Sequence, residues 1–212
     1  GFELAAHWRG KWGAFAGFAR GSLGRVGFEG ERHFTGKAGE DVIQRTMNGD
    51  WDGNFVTASA GASVEGGSQF FLFRPTVSVD YVRLKEDGYT ETGGEALNLT
   101  VDARTSDELA VNAGMTLGID FMGMRARDDT WFRVETEGGW REVLSGGIGD
   151  TTAHFADGDR FTIAGEETSG GWFARLRAIG GSAGMGTGAE VSAEDRHGRV
   201  DLAFRASLTI NW

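Results

Sequence analysis

The clearest hydrophobic pattern in the chain is at its end. In 199–212 (RVDLAFRASLTINW), Val200, Leu202, Phe204, Ala206, Leu208, Ile210 and Trp212 fall on one parity, and Arg199, Asp201, Arg205, Ser207, Thr209 and Asn211 on the other. Alternation at period two is a strand signature, because successive side chains of a strand leave opposite faces. Ordinary strands run to about five or six residues, whereas a strand crossing a bilayer at a tilt needs about nine to eleven. This one is long enough to cross.

The same period recurs upstream. Val56, Ala58, Ala60, Ala62 and Val64 share a face, and after a turn at Gly66 and Gly67 so do Phe71, Phe73, Pro75, Val77, Val79 and Tyr81, opposite Arg74, Thr76, Ser78 and Asp80. This predicts a hairpin, with a local break in the ladder at Pro75, which has no N–H to donate. Leu97 to Ala103 alternates, and Leu109, Val111, Ala113, Met115, Leu117, Ile119 and Phe121 alternate against Asn112, Thr116 and Asp120. Further strands are predicted at 131–143, 172–179 and 187–194. Segments 2–9, 12–18 and 23–31 read as strands too, with turns at Gly10 and around Gly21. Segments 34–50 and 145–171 read as long loops, the second with a strand-like island at 161–164, and 85–95 as a charged loop. The total is about ten strands, short turns alternating with long polar loops, as in an outer-membrane barrel.

Composition narrows the class. The chain has 36 Gly, 1 Pro and no Cys, its net charge is −10, and its mean hydropathy is −0.29. No apolar run approaches the roughly eighteen residues of a membrane helix, so a membrane protein of this composition is a barrel. The acidic balance argues against nucleic acid as a partner, and the missing cysteines exclude disulfides and thiol chemistry. Residues 1–10 do not read as a signal peptide, so an exported protein would be mature or represented by its C-terminal part.

The non-apolar faces carry mid-strand charges of both signs. Asp80, Asp102, Arg104, Asp120, Arg133, Glu135, Glu137, Arg141, Arg175, Arg177, Asp201 and Arg205 are therefore the expected lining of a wet lumen. No catalytic, metal or cofactor site is expected. Gly184, Gly186 and Ala189 fit a G-x-G-x-x-A pattern without the βαβ unit that gives it meaning. Gly146 to Asp150 forms a single glycine repeat, and such repeats bind calcium only in stacked arrays. His7, His33, His154 and His197 lack ligand spacing.

Two resemblances follow from these residues. The ending resembles the C-terminal strand of bacterial outer-membrane barrels, whose terminal Phe or Trp is read by the barrel assembly machinery. It implies an assembly signal at Phe204, Leu208, Ile210 and Trp212. From about Asp50 onward, the stretches RPTVSVDY, KEDGYTETGG, LAVNAGMTLGIDF, VETEGGWRE and LAFRASLTINW resemble the C-terminal translocator barrel of Gram-negative autotransporters. That resemblance implies an all-β, antiparallel, up-and-down transmembrane barrel, of twelve strands in the family. It implies a single domain over 1–212 lacking its N-terminal strands, plug helix and passenger. Its partners would be outer-membrane lipid, the assembly machinery and the chain's own passenger, with no cofactor and no enzymatic step. A small porin-like passive channel and a soluble all-β binding module are the alternative readings.

Overall fold

A computed structural model of the protein describes residues 1–121, 130–182, 184–196 and 198–210. Its strands are β1 (Phe2–Trp12), β2 (Phe15–Ala38), β3 (Asp41–Val64), β4 (Gly66–Gly67), β5 (Phe71–Glu86), β6 (Tyr89–Thr90), β7 (Leu99–Val101), β8 (Arg104–Asp120), β9 (Trp131–Gly147), β10 (Thr151–Phe155), β11 (Phe161–Ile163), β12 (Gly171–Ser182), β13 (Met185–Arg196) and β14 (Arg199–Ile210). One 3-10 turn, Glu95–Leu97, is the helical element among the described residues.

Ten strands form one antiparallel sheet in the order β1-β2-β3-β5-β8-β9-β12-β13-β14, with β4 continuing the β3 side against β5. Every strand along that path pairs with its neighbour in sequence, the up-and-down arrangement. The sheet is open between β1 and β14. Nine antiparallel strands in series leave the first and the last pointing the same way, so an antiparallel closure of these two edges is geometrically impossible.

The packing is inverted relative to a soluble domain. Buried apolar side chains among the described residues are confined to Met47, Leu72, Ala110 and Ala153, while outward residues such as Leu202 (76% exposed), Phe204, Leu23 and Val77 stand open. Exposed apolar patches of this extent mark a surface meant for another apolar phase. Aromatics edge the band. Trp12, Phe15, Phe71, Phe73 and Phe132 lie at the end of the short connections, and Trp140 pairs with Trp172 nearer the other. Eight residues separate Phe132 from Trp140, about 26 Å of strand, and a strand tilted by about 40° then spans roughly 20 Å of a band that is about 25 Å tall in outer-membrane barrels.

The structure corrects several details of the sequence reading. The first hairpin turns at Gly13 (φ +61°) and Ala14, while Gly10 and Gly21 lie within β1 and β2. Segment 34–50 is not a loop. The β2–β3 hairpin continues through it, paired from Phe15↔Val64 to Ala38↔Asp41. β1 flanks β2 only as far as Arg25, and β5 flanks β3 only from Gly53. The outer 26–38 and 41–52 arms therefore project about 40 Å beyond the sheet. One face of the arms is covered, with Met47 buried beside Gly94 and Trp51 stacked on Tyr89, and the other is exposed. Segment 145–171 contains the end of β9, β10 and β11, and 85–95 contains the end of β5 and β6. The break expected at Pro75 is present: β3 pairs up to Ser63↔Thr76, and pairing resumes at Gly66↔Phe73 in β4. A bulge at Leu144, between the Leu109↔Ser145 and Ala110↔Val143 pairs, interrupts β9.

Candidate functional site

The inward parity of β1 to β13 lines a polar cavity of about 900 Å³. It owes its room to small residues on β8. Ala110, Asn112, Gly114, Thr116 and Gly118 form a low floor over which long side chains of β5 and β9 meet, although those strands are not neighbours. Arg141 of β9 donates to Asp80 of β5 at 3.1 Å and also to Glu108, and Asn112 beneath donates to Asp80 at 2.6 Å and accepts from Arg141 at 3.1 Å.

Nearer the short turns, a chain of ion pairs crosses the sheet at right angles to the strands. Lys11 of β1 meets Glu65 at 3.0 Å, and Glu65 meets Arg74 of β5 at 3.7 Å. Arg74 meets Glu135 of β9 at 3.6 Å, Glu135 meets Arg177 of β12 at 3.5 Å, and Arg177 meets Glu190 of β13 at 2.7 Å. Glu135 is the centre of this belt. It is 4% exposed and also has Arg133 at 3.3 Å, which reaches the equally buried Asp120 at 3.4 Å. Arg175 completes the wall with Glu137 at 3.5 Å and Glu194 at 3.7 Å. Two aromatic rings also face inward, each over glycine. Phe173 covers Gly139 and Gly114, and Phe18 covers Gly61; a Cβ on Gly139 would come within 2.4 Å of the Phe173 ring and of the Ala113 carbonyl.

A roof closes over the end of the long connections. Segments 87–103 and 148–170 contribute β6, β7, β10 and β11 to a four-stranded sheet in the order β11-β10-β7-β6. Tyr89 stacks on Trp51 at 4.3 Å, Trp51 stacks on Phe28 at 5.4 Å, and the Trp51 indole N–H donates to Glu86 at 3.2 Å. Arg104 grips the same Glu86 through two nitrogens and donates to Thr151 at 2.9 Å. On the projecting hairpin, Arg32 donates to Glu91 at 2.6 and 3.1 Å, and the Leu99 N–H donates to Glu91 at 2.8 Å. Burial pushes the Glu91 carboxyl up, but the Arg32 and Leu99 hydrogen bonds outweigh it and hold the group below the usual carboxylate range.

The residues expected to line a lumen are distributed as follows. Asp80, Arg133, Glu135, Glu137, Arg141, Arg175 and Arg177 surround the cavity, and Asp120 lies buried against Arg133. Arg104 sits at the roof, and Asp102, also in the roof, pairs with Arg160 at 2.6 Å. Asp201 and Arg205 occupy the inward parity of the edge strand β14, where both are exposed. Phe204, Leu208 and Ile210 point outward from β14; Trp212 and His197 lie outside the described residues. Lys11, Glu65, Arg74, Glu108, Glu190 and Glu194 belong to the same wall without having been singled out from the sequence. Arg74 shares the parity of Asp80, which could have revealed it. The roof residues Arg32, Trp51, Glu86 and Tyr89 gave no such signal.

Chemically, the wall is a hydrated surface of compensated charge. Its carboxylates face guanidiniums, and Asp80 also accepts from the Ser59 hydroxyl. Among the described residues no three His, Asp or Glu side chains gather in a metal-holding group. No curated protein matches the chain. The family model described as autotransporter beta-domain matches residues 1–195, and this family comprises outer-membrane domains that anchor a passenger and are not catalytic. An inverted antiparallel sheet with apolar residues outside and a charged wall inside is what such a domain requires, and the chain belongs to the autotransporter β-domain family.

Proposed function

We propose that this domain is inserted in the outer membrane of a Gram-negative cell, where it anchors its passenger and gives it a route to the surface. The observation that carries the reading is the inversion of the sheet. Outward apolar positions suit hydrocarbon, and the inward charges from Arg74 of β5 to Glu190 of β13 meet partners of opposite sign, leaving a polar path suited to an extended chain. The proposed lumen set is Asp80, Asp120, Arg133, Glu135, Glu137, Arg141, Arg175, Arg177, Asp201 and Arg205 together with Lys11, Glu65, Arg74, Glu108, Glu190 and Glu194, and the outward residues Phe204, Leu208 and Ile210, with Trp212, form the signal read by the assembly machinery. The unpaired β1 and β14 edges support a domain completed by an odd number of further strands of the same protein, since only an even total closes in antiparallel fashion. Neither a cofactor nor a catalytic step is part of the proposal.

The test is surface display. In cells producing the full-length protein, added protease should remove the passenger from the surface while the barrel stays in the outer-membrane fraction and runs faster unboiled than boiled. A passenger held in the periplasm beside an intact barrel would refute translocation and favour a passive channel. A domain soluble without detergent would refute the membrane reading altogether.

A further inference from the structure

The cations of the sheet wall are not evenly distributed. Arg9, Lys11, Arg20, Arg74, Arg133, Arg141, Arg175 and Arg177 turn toward the cavity. Among the described residues of the wall, leaving aside the projecting arms, the outward positions bearing Lys or Arg are Arg25, Arg83 and Lys85. These three are gathered on β2 and β5, either side of β3. The registers Arg25↔Asn54 and Asn54↔Lys85 put two of them in one row, and Val56↔Arg83 puts the third in the row next to it. At about 4.8 Å per strand and about 7 Å per two residues, all three backbone positions fall within about 12 Å of one another.

Their level on the wall is equally specific. On β5 the outward series Val77, Val79, Tyr81 is apolar and then becomes Arg83 and Lys85, and on β2 Leu23 is followed by Arg25. The cluster thus sits where the apolar band ends, on the side of the roof and the projecting hairpin, the side that long loops mark as the cell exterior. Arg25 pairs with Asp52 at 2.6 Å. Arg83 and Lys85 are exposed and have no ion-pair partner among the described residues, although Asp107 is opposite Arg83 in the ladder. Exposed long cations at this depth reach into the headgroup layer.

We propose that Arg83 and Lys85, with Arg25 beside them, form a docking site for the phosphate-bearing headgroup of a lipid in the outer leaflet. Charge complementarity selects the ligand: two unpaired cations at headgroup depth meet an anion, and the apolar surface of Val77, Val79 and Tyr81 directly below accepts its acyl chains. The proposal rests on the membrane reading above. Each charge contributes about five-fold to binding at a lipid surface, so losing two weakens it about 25-fold.

The experiment uses the full-length protein in a neutral detergent, titrated with a diphosphorylated glycolipid or with inorganic phosphate and read by native mass spectrometry. Heat-modifiable gel mobility is recorded for every sample. The wild type and a control, Lys37→Gln on the projecting hairpin, should retain the lipid, while R83Q/K85Q binds it about 25-fold more weakly and runs as a folded barrel. If the double variant does not fold, the single variant K85Q replaces it with an expected loss of about five-fold. Equal lipid retention by folded R83Q/K85Q would overturn the site and leave the membrane reading intact. Equally tight binding of inorganic phosphate would overturn the lipid as its ligand. Wild-type protein that forms no heat-modifiable barrel would overturn both.

Discussion

Replacing Glu135 with Gln should destabilise the barrel far more than the same change at Glu137, two residues along the same strand and on the same face. Glu135 has Arg133, Arg74 and Arg177 at 3.3, 3.6 and 3.5 Å, and its side chain is 5% exposed. At an effective dielectric of about 20, each such contact is worth roughly 5 kcal/mol before desolvation, and desolvating the carboxylate cancels much of the sum. Neutralising it leaves three guanidiniums crowded around an amide. Removing one partner from a buried pair costs about 3–5 kcal/mol. The guanidiniums here are 23–36% exposed, which screens them and brings the expectation to about 2–3 kcal/mol. Among the described residues Glu137 has one ion-pair partner, Arg175 at 3.5 Å, and is 21% exposed, so its loss should be worth about 0.5–1 kcal/mol. Urea unfolding in lipid vesicles, followed by tryptophan fluorescence, measures both. Equal effects of E135Q and E137Q, or none from E135Q, would refute the belt as a stabilising element.

Gly139→Ala should destabilise the barrel by about 1–3 kcal/mol and slow its assembly, because the new methyl meets both the Phe173 ring and the Ala113 carbonyl; the rate at which the heat-modifiable band appears is the measure. The Glu91 clip should be pH-sensitive. Its carboxyl is held below the ordinary range, so its stabilisation is present above the unfolded value of about 4.3 and is lost as pH falls through the lower folded value. Hydrogen exchange in segment 87–103 should therefore rise in strong acid, and E91Q should show that faster exchange at neutral pH. Trp51→Ala removes the middle ring of the Phe28–Trp51–Tyr89 stack and the bond to Glu86. Single-channel conductance in planar bilayers should rise or flicker as the roof loosens, and an unchanged trace would dissociate the stack from closure.

How far the sequence reached depended on which surface a residue faces. The alternation of Leu109 to Phe121 was legible because one face meets an apolar phase and the other a polar one along its whole length, and β8 follows it. The same logic identified Asp80, Glu135 and Arg177 as inward. It could not say that Arg74 and Arg177 converge on Glu135. That depends on cross-strand register, which turn geometry sets and alternation does not encode. Segment 34–50 was harder to read for a different reason: its covered face mixes Ile43 and Met47 with Arg45 and Gly49, so burial there is not marked by apolar residues alone. The roof strands are two to five residues long; the alternation of 97–103 and the island at 161–164 marked β7 and β11 as extended, but such short runs do not show that they pair in a second sheet. Closure of the sheet was equally beyond reach, because it depends on the number and direction of strands rather than on any one strand's pattern.

The inverted packing itself can be tested residue by residue, because the chain contains no cysteine. Single cysteines at Thr76 and Ser78, which line the cavity, and at Val77 and Val79, which point outward and are 55% and 44% exposed, differ only in parity. In proteoliposomes, a water-soluble maleimide should label T76C and S78C, while V77C and V79C stay unlabelled and a fluorophore attached to them before reconstitution is quenched by spin-labelled lipid. Labelling of V77C and V79C with silence at T76C and S78C would contradict the account, as would equal labelling of all four.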